Sequence, residues 1–204
     1  MKTRVLVTCG ATWAPIDDVR VISNISTGEM GHTIAQAFRK AGAGVTMIEG
    51  PVTHALTDSG IKIIKYRFFD ELAKLLKVEL RKKYDVVIHA AAVSDFKVAK
   101  VRKGKLTSVK PMTLRLVATE KLIESIKSLS PDSLLVGFKL EPELDPEHIF
   151  KTVRDLFSHS GCDLVVANTL KGGYKGYIVN ADGSILCQAV NKKAIAHNLV
   201  KILL

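Results

Sequence analysis

Ser23-Asn24-Ile25-Ser26-Thr27-Gly28-Glu29-Met30-Gly31 is a polar, glycine-punctuated stretch set between two predicted elements. The apolar run Val5-Leu6-Val7-Thr8 precedes it as a strand and ends in Cys9-Gly10-Ala11-Thr12. After it, Met30, Ile34, Ala37, Phe38 and Ala41 recur at helical spacing and form one apolar face. The first amides of such a helix have no partner within it, and the helix dipole adds partial positive charge there. The loop therefore suits phosphate or another anion. The Asn24 amide adds a donor and an acceptor at the same place.

The strand–loop–helix rhythm continues along the chain. Strands are predicted at Arg4–Thr8, Val45–Glu49, Ile61–Lys65, Asp85–Ala90, Leu134–Phe138 and Asp163–Ala167. Most are continuous apolar runs, as buried parallel strands are. Between them, Leu72, Leu75, Leu76 and Leu80 form one helical face; Leu122, Ile123 and Ile126 form another; Ile149, Val153, Leu156 and Phe157 form a third. This alternation predicts an α/β fold with a doubly wound, mostly parallel, Rossmann-like sheet. The tail departs from it. Tyr177–Asn180 and Ile185–Cys187 flank Ala181-Asp182-Gly183-Ser184, and Asp-Gly between apolar runs signals a hairpin. A last helix is capped by Asn191 and buries Ile195, Leu199 and Ile202. One domain over residues 1–204 is expected.

Composition narrows the class. The chain is 47% hydrophobic and 25% charged, an ordinary balance for a globular protein. It shows no apolar run of membrane-spanning length and no secretory signal, so a cytoplasmic protein without a membrane partner is expected. Cys9, Cys162 and Cys187 lack CxxC spacing, which argues against a disulfide framework or zinc site. Cys9 follows a strand but has no evident histidine partner in sequence, and reads as a small core residue. Thirty Lys and Arg against 20 Asp and Glu give a net charge of +10 and point to anionic ligands. Aromatic residues make up only 6% of the chain and form no stacking pattern, which argues against a nucleic-acid partner. The first strand and its loop lack a full GxGxxG, and there is no Walker lysine pattern. A nicotinamide dinucleotide site is therefore unsupported, and no Tyr-x-x-x-Lys pair supports a short-chain dehydrogenase.

In open α/β sheets ligands bind beyond the carboxyl ends of the strands. Four such ends are polar or small: Cys9-Gly10-Ala11-Thr12, Ala90-Ala91-Ala92-Val93-Ser94-Asp95, Gly137-Phe138-Lys139-Leu140-Glu141, and Asn168. The segment Lys97–Lys110 carries six cations and no acid. It reads either as a solvated basic loop or as a flexible lid over a polyphosphate.

The wording of the first stretch resembles the Ser-Asn-x-Ser-Ser-Gly-x-Met-Gly signature of phosphopantothenoylcysteine synthetases, with Thr27 at the second serine. Val7-Thr8-Cys9-Gly10-Ala11-Thr12, Ala90–Phe96, Lys105-Leu106-Thr107-Ser108, Val136–Glu141 and Asp163–Asn168 resemble further motifs of that family, in order. The resemblance implies a ligase of coenzyme A synthesis in stand-alone form. The carboxylate of 4′-phosphopantothenate would attack the α-phosphate of CTP or ATP and release pyrophosphate. The amine of L-cysteine would then displace the nucleoside monophosphate. Asn24 would hold the acyl-nucleotide, and Lys105 would neutralise triphosphate charge. Gly10, Ser26, Thr27, Gly28, Phe138, Lys171 and Lys193 would bind nucleotide, and Ala91, Ala92 and Asp95 the pantothenate arm. Mg²⁺ would bridge phosphates. The family pairs as homodimers, with the tail hairpin as candidate interface. A separate decarboxylase protein is expected to take the product. Ala11 and Thr107-Ser108 depart from the family pattern, and Lys103 or Lys110 would compensate in the basic loop. The competing readings are a non-catalytic nucleotide sensor of the same fold and a basic nucleic-acid-binding protein.

Overall fold

The computed structural model describes residues 2–107 and 111–204. Ser108 and Lys110, named above, lie outside the described residues. In chain order the elements are β1 (Arg4–Cys9), β2 (Trp13–Pro15), β3 (Val21–Ser23), α1 (Glu29–Lys40), β4 (Gly44–Glu49), β5 (Lys62–Lys65), α2 (Phe69–Leu80), β6 (Val86–His89), β7 (Phe96–Val98) and β8 (Leu116–Ala118). There follow α3 (Ile126–Leu129), β9 (Leu134–Leu140), α4 (Ile149–Ser160), β10 (Leu164–Thr169), β11 (Lys175–Asn180), β12 (Ile185–Ala189) and α5 (Lys192–Leu203).

The main sheet has eight strands in the order β12-β11-β10-β9-β6-β1-β4-β5. The first six strands of this sheet to form along the chain are parallel; β11 and β12 close it antiparallel. The chain winds outward from β1 through β4 to β5, then returns to place β6 on the other side of β1. That reversal is the topological switch point, and the crevice beyond β1 and β6 is where such sheets bind ligands.

Strand side chains alternate between two cores. Val5, Val7 and Cys9 face the helix pair α1 and α5, where Ile34, Phe38, Ile195 and Leu199 are fully buried. Leu6 and Ile48 face the other layer, with Leu72, Leu76, Ile126 and Val153. Burying each such side chain contributes about 1.5–3 kcal/mol, so the helices are held by packing more than by propensity. The predicted faces carry this packing, with two exceptions. Ala41 lies just past the end of α1 and is exposed, and Ile202 is 40% exposed because α5 turns its last turn to solvent. The Leu122–Ser125 segment is a 3₁₀ turn that leads into the short α3.

The tail hairpin follows the Asp-Gly signal. Gly183 has φ +89°, Ser184 N–H donates to Asp182 Oδ1 at 2.7 Å, and Asn180 N–H donates to Ser184 O at 3.1 Å. Asn191 caps α5, its Oδ1 accepting from Ala194 N–H at 2.8 Å.

Three features differ from the sequence reading. β9 and β10 run two residues further than expected, so Lys139 and Asn168 lie within paired strands, not after them. Trp13–Pro15 and Val21–Ser23 form a hairpin that three-residue strands are too short to announce. Lys97 lies in β7, paired antiparallel with Val117 of β8, because two short runs of strand-forming residues lie close enough to join. The basic segment therefore starts as a ribbon, and the loop begins only after it.

Gly10 makes the exit from β1 possible. Its φ is +80°, and a Cβ there would sit 2.9 Å from the backbone of both Gly50 and Pro51. Gly10→Ala is expected to lower stability by about 2–4 kcal/mol, through left-handed strain and backbone overlap. A urea midpoint equal to that of the wild type would contradict this packing.

Candidate active site at the sheet's switch point

The segment Gly10–Thr12 leaves β1 bonded on both sides. Ala11 N–H donates to Pro51 O at 3.2 Å on the β4 side. On the β6 side Ala92 N–H donates to Gly10 O at 2.8 Å, and Thr12 N–H donates to Ala92 O at 3.3 Å. Thr12 Oγ1 also accepts from Ser94 N–H at 2.8 Å. The loops after β1, β4 and β6 are thus locked into one floor.

The signature loop lies across this floor. Asn24 Nδ2 donates to Val93 O at 3.1 Å and lies 3.4 Å from Ala92 O. Asn24, Ala91 and Ala92, named separately from sequence, are therefore brought together. Gly28 ends the loop at φ +77° and starts α1 with no side-chain cap. A Cβ at Gly28 would meet Val52 Cγ1 at 2.2 Å, so only glycine lets the β4 loop close over it. Thr27 O accepts from Thr53 N–H at 3.3 Å, and Thr27 Oγ1 accepts from Glu29 N–H at 3.3 Å. Gly28 gives α1 no side-chain cap, and only the Glu29 amide of its first turn is held, by Thr27.

Several predicted groups are engaged within the protein. Ala91 N–H donates to Thr8 Oγ1 at 3.3 Å, and Ala92 N–H is the donor to Gly10. These two amides hold the floor together and do not point out as ligand donors. Asp95 is exposed and pairs with Lys121 Nζ at 2.5 Å. Phe138 is half-buried in β9, and Lys139 pairs with Glu141 at 3.2 Å. Lys171 pairs with Glu143. Lys193 is exposed at the start of α5, beside Lys192, which pairs with Glu29 of α1. That pair brings the starts of both helices to the same rim, a link with no signal in either local sequence.

Lys105 is exposed on a segment tied to the β2–β3 turn. Asp17, with a buried side chain, accepts from Arg20 Nε at 2.9 Å, from Val19 N–H and Arg20 N–H, and from Leu106 N–H at 3.0 Å. Arg20 Nη2 donates to Leu106 O at 2.7 Å, and Gly104 N–H donates to Asp18 Oδ2 at 2.8 Å. The Arg20 guanidinium, followed by the Leu106 amide, holds the Asp17 carboxyl well below the usual carboxylate range. Asp17 and Arg20 carried no role in the sequence reading. An Asx turn with Arg three residues on was the available signal.

Among the described residues the one cluster of three potential metal ligands is Cys9, His32 and Glu49. A thiol, an imidazole and a carboxylate do not suit Mg²⁺, which takes oxygen ligands in an octahedron. Burial pushes the Cys9 thiol up to about 12, so it is protonated and unreactive at neutral pH. Two cavities open beside the rim, of about 600 and 490 Å³, on either side of the Trp13–Phe68 edge contact. Neither is lined by Asn24 or Lys105. Among the described residues no helix is long and apolar enough to cross a membrane.

The reversed strand order and the locked floor define a doubly wound α/β protein with a crevice at its switch point. More particularly, the chain belongs to the family described as the DNA/pantothenate metabolism flavoprotein C-terminal domain, whose model matches residues 1–204. It is 44% identical, over 82% of its length, to the coenzyme A biosynthesis bifunctional protein CoaBC of Thermococcus kodakarensis, of which it covers 41%. It spans between about two fifths and half of the length of the curated relatives it matches. The crystal structure of the DNA/pantothenate metabolism flavoprotein from Streptococcus pneumoniae superposes with a TM-score of 0.88 at 25% identity, covering 98% of this chain and 97% of that one. A mutant Cab2 protein in complex with phosphopantothenate-cysteine shares the fold, with a TM-score of 0.78 at 19% identity over 98% of this chain and 85% of that one.

Asp17→Asn is expected to free the basic segment, so that trypsin cleaves at Arg102, Lys103 and Lys105 faster than in the wild type. The folded carboxyl titrates below its unfolded value, so its stabilisation is fully present above about pH 4 and is lost as pH falls further. The stability difference between wild type and D17N, read from urea midpoints, should be constant from neutral pH to about pH 4 and shrink below it. A difference that shrinks already near neutrality would contradict the clasp.

Proposed function

We propose that this chain joins 4′-phosphopantothenate to L-cysteine through an acyl-nucleotide. The observation that carries this reading is the Asn24 amide bridging the signature loop to the carbonyls of Ala92 and Val93, beside the uncapped start of α1. One side chain thereby joins an anion-accepting helix start to the loop after β6. A carboxylate and a triphosphate held on the two sides of that bridge would meet at the switch point. The family match, the coenzyme A name of the relatives, and the phosphopantothenate-cysteine complex of a protein of this fold support the same reading.

The substrate carboxylate attacks the α-phosphorus, and the bond to pyrophosphate breaks. Cysteine's amine then attacks the acyl carbon, and the nucleoside monophosphate leaves. Amides at the start of α1, with the Ser26 and Thr27 hydroxyls, take phosphate oxygens. With one Nδ2 hydrogen held by Val93 O, Asn24 offers the other to the acyl-phosphate oxygen, where developing charge is stabilised by a fixed donor. Lys105 brings a cation from the clasped segment, and Lys171 and Lys193 stand at the far rim. Phe138 packs beside the nucleobase or ribose. Mg²⁺ would enter with the triphosphate as its counter-ion. CTP is the expected nucleotide and ATP the alternative. A cytoplasmic homodimer completes the reading.

The test is pyrophosphate release with 4′-phosphopantothenate, Mg²⁺ and CTP or ATP, with and without cysteine. Cysteine-stimulated release is expected, greater with CTP. Asn24→Ala should lower kcat by about 10²–10³-fold, the loss typical of one preorganised donor at a developing oxyanion. No release with either nucleotide, from protein that still binds it, would replace the ligase with a nucleotide sensor.

A further inference from the structure

Behind the signature loop lies a buried ionic cluster that the chemistry above does not use. Glu49, the last residue of β4, is fully buried. His32 Nε2 lies 2.7 Å from its Oε1, and Lys65 at the end of β5 pairs with its Oε2. The Leu56 N–H stands at the edge of hydrogen-bond range of Oε1, at 3.5 Å. One carboxylate thus touches the first turns of α1, the loop after β4 and the end of β5. His32 is also the residue whose N–H donates to Gly28 O, at 3.1 Å, and its Cε1 lies 3.6 Å from where a Gly28 Cβ would be. The ring therefore backs directly onto the glycine that ends the loop.

Two roles fit such a cluster. Cys9 Sγ, His32 and Glu49 have donor atoms within 4.8 Å of one another, which is compact enough for a soft divalent cation. The Lys65 ammonium opposes this, because it already supplies the positive charge the buried carboxylate needs and would repel a cation at the same oxygens. Cys9 Sγ is also turned to Met47 Sδ, 3.6 Å away. Lys65 thus offsets the Glu49 charge from the strand end. What the cluster does achieve is mechanical: it pins the start of α1 against β4 and β5, and so fixes where the free amides aim.

We propose that Glu49 is the positioning residue of the anion-accepting helix start, acting through His32, and that it governs affinity for the nucleotide's phosphates without touching them. The phosphopantothenate side hangs on different bonds, those of Asn24 with Ala92 and Val93. The inference rests on the proposed ligase in taking a nucleotide as the anion, but its primary readout, direct nucleotide binding, does not require turnover.

The experiment is calorimetric titration of the full chain with CTP and with ATP, each with Mg²⁺, for wild type, Glu49→Gln, His32→Leu and His32→Gln. Steady-state kinetics follows wherever turnover is seen, and circular dichroism melting confirms that each variant is folded. Glu49→Gln and His32→Leu should weaken nucleotide binding by roughly tenfold to a hundredfold, the scale of a small misplacement far from the chemistry. His32→Gln keeps a donor toward Glu49 and should restore most of the affinity. In the kinetics, KM for nucleotide should rise while KM for 4′-phosphopantothenate stays within about twofold, a split that general loosening would not produce. Folded Glu49→Gln with wild-type nucleotide affinity would overturn the proposal. So would one tightly held equivalent of zinc in purified wild type that is absent from Glu49→Gln, which would make the cluster a metal site. Intact binding differences with no turnover in any variant would sink the ligase and leave the positioning role standing.

Discussion

Everything at the functional end of this molecule depends on how the chain leaves β1. Gly10–Thr12 is bonded to Pro51 on one flank and to Ala92 on the other. That double attachment exists only because β4 and β6 lie on opposite sides of β1, the point where the winding reverses. It fixes the loops after three strands relative to one another before any ligand arrives. Preorganisation of this kind is what lets a hydrogen-bond donor act in a transition state without first being reoriented.

The glycines at the rim serve the same constraint. At Gly10 the obstacle to a side chain is backbone, from Gly50 and Pro51; at Gly28 it is the Val52 side chain. At Gly31 a Cβ would lie 2.3 Å from Cys9 Cβ, so α1 can approach the end of β1 only there. Close approach of α1 to the sheet brings its first amides within reach of the crevice. The ionic pairs Glu49–His32 and Lys192–Glu29 then hold that helix start from below and from the side. Asp17 does the equivalent for the basic segment, through its own turn and Leu106. Buried carboxylates thus flank the site on two sides without entering it.

Much of this was legible in the chain and some was not, for physical reasons. The parallel strands are buried on both faces, so Val5–Val7 and Val86–Ile88 stand out as apolar runs, and α1, α2 and α4 show their buried faces as spacing. Asp182-Gly183 and Asn191 are local signals whose meaning needs no tertiary context. The β2–β3 hairpin and the β7–β8 ribbon escape because three residues are too few to show a period. The ends of β9 and β10 were set short because Lys139 and Asn168 are polar, although at the rim the ladder continues past the apolar core. At the candidate site, Asn24 and Gly28 were singled out from their own wording. The Ala91 and Ala92 amides are given to Thr8 and Gly10, partners some eighty residues away that no local wording announces. Glu49, His32 and Asp17 act through partners distant in sequence, which no local pattern encodes.

The central claim is that the crevice brings a substrate carboxylate onto the α-phosphate of a nucleotide. Its most direct test is to label the carboxylate oxygens of 4′-phosphopantothenate with heavy oxygen, run one turnover with cysteine, Mg²⁺ and the preferred nucleotide, and weigh the products by mass spectrometry. The account predicts one labelled oxygen in the nucleoside monophosphate and none in pyrophosphate. Label appearing in inorganic phosphate, or in no phosphorus-containing product other than the phosphopantothenoyl amide, would contradict it.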